Sequence, residues 1–394
     1  MVLASRTGQS VWDLPGQRLY GYAESFQELA RSFAKEGVTN PTEDRQQLLE
    51  QRRLAENRQI LCSNFAEMAQ IIRNTAREVL CYKPLEEKRR RILVHALRSE
   101  GIYAENLCYT PMGSARDGIG MTLYTRKRDG RNADEVADML SVLLRKQLRL
   151  SVTSPSRVDE KKKSFIFVEE AGFMALTGFA KVVKENETVS GDNYSLLESE
   201  RGRMTVLLSD GTGSGEAACA DSTLVLDLME KMLEAGYRTQ TAVNLVNSVI
   251  FSRGDYEGHP TLDICELDLY DGNCVFSKIG GTSSFLKRGF AAEAVSGANL
   301  PLGIFQNVEL SPIQKKLEDG DYLIMMTDGV LDALKANDYE AVMTDIIAGM
   351  TEKNPRELAE KLLHLVICLS EGRIQDDMTI VVTGVWRNAK SRES

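Results

Sequence analysis

Apolar residues recur at helical spacing in the first part of this chain and in short strand-length runs in the last. Tyr22, Phe26, Leu29 and Phe33 predict a helix over 20–33, ended near Gly37 and Pro41, after a loose lead-in. From Thr42 to Leu80 there is no Gly or Pro, and Leu54, Leu61, Phe65, Met68, Ile72 and Val79 form a heptad-like seam interrupted by Arg58 and Thr75. That pattern predicts a long helix, either packed on its own domain or paired with a second copy. Residues 85–160 read as a small α/β unit: helix 85–100 stopped by Gly101, strands 102–110 and 121–126, and helix 133–148 introduced by Asn132.

Beyond Ser164 the texture becomes β-rich. Strands are expected at 164–170, 174–183, 193–198, 204–208, 261–269, 273–279, 284–287, 308–317, 322–327 and 378–386. Helices are expected at 216–235, 240–252, 338–350 and 355–371, and Asp271-Gly-Asn273 reads as a hairpin turn. Many strands with grouped helices predict an α+β fold of two sheets flanked by helices rather than alternating βαβ units. The segments are thus 1–41, 42–84, 85–160 and 161–388, with a disordered tail at 389–394.

Composition narrows the chemistry. In 394 residues, 48 basic side chains against 57 acidic ones give a net charge of −9, which disfavours a general nucleic-acid binder. No apolar run reaches the ~18 residues of a membrane span, so a cytoplasmic location is expected. Seven scattered cysteines without a C-x-x-C pair, and only three histidines (His95, His259, His364), supply neither a disulfide framework nor a His-rich zinc site.

Candidate chemistry lies in four aspartates. Asp192 (SGDN), Asp210 (VLLSDGTGSGEA), Asp328 (LIMMTDG) and Asp376 (QDDMT) stand at strand ends or turns, two of them behind fully apolar strands and followed by Gly211 and Gly329. Taken singly, Asp-Gly is a common turn. Taken together, four acids at the ends of neighbouring strands converge, and converging carboxylates need protons or cations to neutralise them. Oxygen ligands without His or Cys select Mg²⁺ or Mn²⁺, with Ca²⁺ open on ligand type. Two such ions bridged by Asp210 would suit phosphate-ester hydrolysis, with the Gly211 carbonyl as a further ligand and Gly213 and Gly215 allowing phosphate to approach. A nucleotide site on the same glycines lacks the Lys-Ser/Thr of a P-loop.

SGDNYS at 190–195, LLSDGTGSGEAA at 207–218, KIGGTSSFLKRG at 278–289, NLPLGI at 299–304, GDYLIMMTDGVLDAL at 320–334 and DDMTIVV at 376–382 resemble the PPM-type serine/threonine phosphatases. The resemblance is closest to the stage II sporulation protein E branch. It implies a β-sandwich flanked by helices, preceded by a helical and small α/β regulatory region. It also implies two Mn²⁺ or Mg²⁺ ions, with Asp210 and Asp192 as the catalytic acids and Asp192, Asp210, Gly211, Asp328 and Asp376 as ligands, Asp376 being preferred to Asp377. The implied substrate is a phosphorylated anti-anti-sigma factor. The implied control is by the preceding region and by homodimerisation, acting on helices 216–252. Two departures accompany it: no membrane segment is present, so the chain is expected to be a soluble paralogue or a fragment, and the phosphate-gripping arginine of eukaryotic relatives has no evident counterpart. A catalytically silent phosphoprotein-binding scaffold on the same fold is the alternative.

Overall fold

The computed structural model describes residues 13–35, 59, 62–76, 83–111, 117–126, 130–199, 202–252, 258–297, 299–305 and 308–388. They fall into two compact units divided between Glu170 and Ala171. The seam positions Leu54, Leu61 and Val79 and the tail 389–394 lie outside the described residues.

The first unit opens with α1 (Asp13–Lys35), which starts earlier than the apolar spacing indicates, and α2 (62–76). Phe65 of α2 stands 6.2 Å from Phe26 of α1, and the Cys62 thiol donates to the Ala30 carbonyl. The seam residue Phe65 thus has a partner helix within the chain itself. Next come β1 (Lys83–Pro84), α3 (Glu87–Ser99), β2 (Ile102–Pro111), β3 (Asp117–Thr125), β4 (Arg131–Asn132), α4 (Ala133–Leu144), β5 (Leu148–Leu150), β6 (Arg157–Val158) and β7 (Lys163–Glu169). The antiparallel sheet β1-β2-β3-β7-β5 packs Met121, Leu123, Phe165 and Phe167 against Leu93 and Leu97 of α3 and Leu140 of α4.

Two expectations change here. Helix 133–148 stops at Leu144, because Arg145 turns left-handed (φ 52°) and the Ser141 hydroxyl takes the Leu148 N–H at 2.8 Å, releasing Leu148–Leu150 as a strand. The run 164–170, assigned with the C-terminal region by its β-rich texture, pairs with β3 and β5 instead. Strand pattern reports burial, not which sheet a strand joins.

The second unit contains β8 (Phe173–Val182), β9 (Asp192–Ser199), β10 (Arg203–Asp210), α5 (Gly215–Glu234), α6 (Thr239–Ser252), β11 (Leu262–Asp268), β12 (Asn273–Ile279), β13 (Ser284–Arg288), β14 (Ala291–Val295), β15 (Ile313–Lys316), β16 (Asp321–Met326), α7 (Asp328–Asp332), α8 (Tyr339–Gly349), α9 (Pro355–Leu369) and β17 (Met378–Arg387). Two antiparallel sheets form, ordered β15-β12-β11-β10-β9 and β14-β13-β16-β17-β8.

Alternation then builds four layers. Val206, Leu208 and Phe276 meet Leu323, Met325 and Val381 between the sheets. Leu207, Ile264 and Ile279 on the outer face meet Val225, Met229 and Val246 of α5 and α6. Ile324, Ile380 and Val382 on the other outer face meet Met343, Leu358 and Leu362 of α8 and α9. Strands buried on both faces read as continuous apolar runs, which is why VLL and LIMM carry no polar alternation. Gly178 lets α9 sit on β8: a Cβ there would fall 2.3 Å from the Arg356 backbone. The Asp271-Gly272 hairpin forms, whereas 308–317 yields only the four residues of β15, and the alanine-rich β14 escaped propensity. No helix among the described residues is long and apolar enough to cross a membrane.

Candidate active site

Antiparallel register decides which acids meet. Asp192 opens β9 and Asp210 closes β10, and the ladder sets them directly opposite each other. Asp328 follows β16 and Asp376 precedes β17; these strands are also antiparallel neighbours, so both acids lie at one end of their sheet. The two sheet ends are joined by Thr327, whose hydroxyl donates to Asp192 Oδ2 at 2.8 Å and accepts the Thr379 N–H at 2.9 Å.

Asp192 is 1% exposed, and its Oδ1 has no hydrogen-bond partner among the described residues. Burial pushes its carboxyl up, and the charge of Asp377 adds to the rise. Asp210 is pushed up as well, by burial first and then by the charges of Asp192 and Asp328. Its backbone is fixed on β11's approach: the Asp210 N–H donates to Thr261 Oγ1 (3.1 Å), and its carbonyl accepts the Thr261 N–H (2.9 Å). A buried carboxylate pair with an orphaned oxygen is a donor set for a cation, and oxygen-only ligands fit Mg²⁺ or Mn²⁺. Among the described residues, no three His, Cys, Asp or Glu side chains are gathered closely enough to hold one ion as they stand.

The glycines divide by role. A Cβ on Gly211 would lie 1.9 Å from the Ala218 carbonyl oxygen, and one on Gly191 would lie 2.7 Å from Ala218 Cβ, so these two glycines let α5 rest on the strand ends that carry Asp210 and Asp192. Gly213 (φ 87°) and Gly215 (φ 76°) hold left-handed positions leading into α5. Beside Gly215 stands Glu187, which accepts the Ser214 hydroxyl at 3.0 Å; a carboxylate thus occupies the helix mouth where phosphate was expected.

The Asp376-Asp377 pair separates cleanly. Asp377 is buried and accepts the Lys184 N–H (2.9 Å) and the Gly191 N–H (2.7 Å), bracing the loop before Asp192. Asp376 is half-exposed, with Lys184 Nζ 3.7 Å away. Asp210 and Asp328 share one small cleft with Thr261, Asp263 and Thr282, while Asp376 lines a second, bounded by Gly329 and Asp332. Asp332 is pushed up by burial and by the charges of Asp328 and Asp376.

One feature escaped the motif reading. Asp263 and Lys278, directly cross-strand on β11 and β12, form an ion pair at 2.6 Å with side chains 4% and 2% exposed. The Lys278 ammonium also donates to the Thr282 carbonyl, while Asp263 Oδ1 is buried without a partner among the described residues. Its signal was a charged residue at an inward position of each of two apolar strands, LDIC and VFSKI.

The raised acids set a pH dependence. Asp210 keeps its proton in the folded protein to a higher pH than in the unfolded chain, so the folded state binds more protons above the ordinary value of 3.8. Stability of the metal-free protein is therefore expected to fall as pH rises through neutrality. A cation replaces the proton, so added Mn²⁺ should flatten that slope and raise Tm more at about pH 8 than at about pH 6. Thermal unfolding with EDTA or Mn²⁺ across this range checks it; a slope indifferent to metal would detach these acids from ion binding.

The sequence profile described as "Stage II sporulation protein E (SpoIIE)" matches residues 200–386. The chain is 29% identical over 338 residues to stage II sporulation protein E of Bacillus subtilis (strain 168), covering 86% of this chain and 41% of that protein. It is 29% identical over 336 residues to the Priestia megaterium protein of the same name, covering 85% and 57%. The chain thus spans about half the length of these curated relatives. It also resembles the solved structure of the PP2C phosphatase domain and a fragment of the regulatory domain of the cell fate determinant SpoIIE from Bacillus subtilis. That likeness has a TM-score of 0.65 and 28% identity, over 88% of this chain and 97% of that one.

Proposed function

We propose, from the premise that the C-terminal unit belongs to the stage II sporulation protein E family of PPM-type phosphatases, that this chain is a metal-dependent protein serine/threonine phosphatase. The observation that carries the reading is Asp210, held between Asp192 and Asp328 with its carboxyl pushed up by burial and by both neighbours. Such a cluster costs the fold stability unless a ligand uses it. A silent scaffold has no need of it.

Two Mn²⁺ or Mg²⁺ ions held by Asp192, Asp210, Asp328, Asp376 and the Gly211 carbonyl would supply a water of lowered pKa and offset the phosphoryl charge. The chain's own residues orient that set. Thr327 fixes the rotamer of Asp192 and links β16 to it, Thr261 pins the Asp210 backbone, and Asp377 holds the Gly191 turn. Asp376 stays accessible at the rim beside Lys184. The substrate we assign is a phosphorylated anti-anti-sigma factor, the class implied by the family resemblance, with the protein acting in the cytoplasm as a homodimer.

Hydrolysis of an aryl phosphate and of a phosphoserine protein, each with and without Mn²⁺, tests the reading, with sedimentation reporting the oligomer. Turnover that appears only with metal supports it. Absence of turnover in a chain shown to bind both Mn²⁺ and phosphoprotein would favour the scaffold.

A further inference from the structure

Beyond the acid cluster, the second cleft is lined by two cations, Lys335 and Arg373. It measures about 220 Å³, and two chain segments line it together with Gly329 and Met378. One wall is the end of α7, with Asp332 followed by Lys335; the other is the α9–β17 connection, with Arg373 followed by Asp376. Each wall therefore pairs an acid with a cation three residues away: Asp332 with Lys335, and Asp376 with Arg373.

Both cations are set by fixed backbone. Lys335 is left-handed (φ 50°), and its N–H donates to the Asp332 carbonyl at 3.2 Å. Arg373 follows two left-handed residues, Glu371 (φ 60°) and Gly372 (φ 77°), in a turn closed by the Ser370 hydroxyl on the Arg373 carbonyl at 2.9 Å. Non-glycine residues with positive φ are uncommon, and two of them shape this rim. Neither cation is well neutralised: Lys335 has no ion-pair partner among the described residues, and Arg373 has only Glu371, at 3.9 Å and largely exposed. Asp332 and Asp376 balance the charge of the cleft as a whole, but among the described residues neither is ion-paired with these cations, so Lys335 and Arg373 stay available to an anionic side chain.

The position narrows the visitor. On the reading above, which this inference rests on, the phosphoryl group belongs with the proposed ligands Asp328 and Asp376, and Lys335 and Arg373 stand three residues from an acid along each wall, beside that group rather than among its ligands. The cleft is also smaller than the roughly 300–1,000 Å³ of small-molecule sites. It has the size for a side chain. We propose that Lys335 and Arg373 form a recognition subsite for an acidic side chain, Asp or Glu, flanking the phosphorylated residue of the protein substrate. Arg373 supplies the planar fork that pairs a carboxylate, and Lys335 supplies a point charge opposite it.

The test uses the full chain and the double variant Lys335→Gln/Arg373→Gln. Three substrates are compared: an aryl phosphate, a phosphoserine peptide with Asp and Glu flanks, and the same peptide with Asn and Gln flanks. The wild-type protein is expected to favour the acidic peptide by about tenfold in kcat/KM, mainly through KM, and the variant to bring that ratio close to one. Arg373→Lys should restore part of it. A wild-type ratio of one, or a ratio that survives in the variant, overturns the proposal. So does an equal loss on the aryl phosphate, which would assign the cations to the phosphoryl group itself. If the wild-type protein hydrolyses none of the three, the phosphatase reading fails, and the subsite is judged by fluorescence anisotropy. In that case the acidic peptide must bind the wild-type protein more tightly than the variant, and more tightly than the neutral peptide does, for the proposal to stand.

Discussion

Asp210→Asn is expected to lower metal-dependent turnover by on the order of 10³-fold or more, while making the metal-free protein harder to unfold. The two effects have one cause. Asp210 lies between Asp192 and Asp328, and burial together with their charges pushes its carboxyl up. An amide of the same shape removes the repulsion, so the metal-free fold should gain on the order of 1 kcal/mol or more at neutral pH. The same change removes the charge proposed to hold the ions, and several kcal/mol of transition-state stabilisation go with it. Steady-state rates with Mn²⁺ and urea unfolding with EDTA read the two halves separately. If both activity and stability fell, Asp210 would be a structural turn residue; if neither changed, the site would lie elsewhere.

Lys278→Met is expected to destabilise the second unit by about 3–5 kcal/mol, because it strands the Asp263 carboxylate at 4% exposure without its counter-charge. Burial already pushes Asp263 up and the Lys278 ammonium pulls it back, so removing the ammonium should drive the acid to take a proton. Pairing the change with Asp263→Leu should recover most of the loss, since an apolar pair of similar volume fits between sheets lined by Leu208 and Met325. Urea denaturation of both single variants and the double variant measures the coupling. A single variant close to wild type would mean that water reaches the pair, and an unrecovered double variant would point to the lost tether on the Thr282 carbonyl.

Much of the layered fold was legible in the pattern. Runs such as VLL and LIMM are apolar on both faces, and α5, α6, α8 and α9 carry helical spacing between clear stops, so two sheets with helices outside followed directly. Where the reading failed, the deciding contact was one that the apolar pattern does not show. The stop after Leu144 depends on a hydroxyl reaching Leu148, β14 is an Ala-rich strand held by pairing with β13, and β7 belongs to a sheet that its own pattern does not name.

The site divides along the same line. By itself the sequence determined the four aspartates, the glycines beside them and the apolar strands that carry them, because residue type and local turn chemistry are written in consecutive letters. Only the tertiary structure decided that Asp192 faces Asp210 across one ladder, that Thr327 ties the second sheet to that pair, and that Asp377 is turned inward while Asp376 looks out. It also brought Asp263 to Lys278, and Lys335 and Arg373 to one cleft, from distant stretches of the chain. Register and sheet packing set these meetings. A single-residue slip would send every one of these strand side chains to the opposite face, and no local motif encodes where a strand's neighbour will lie.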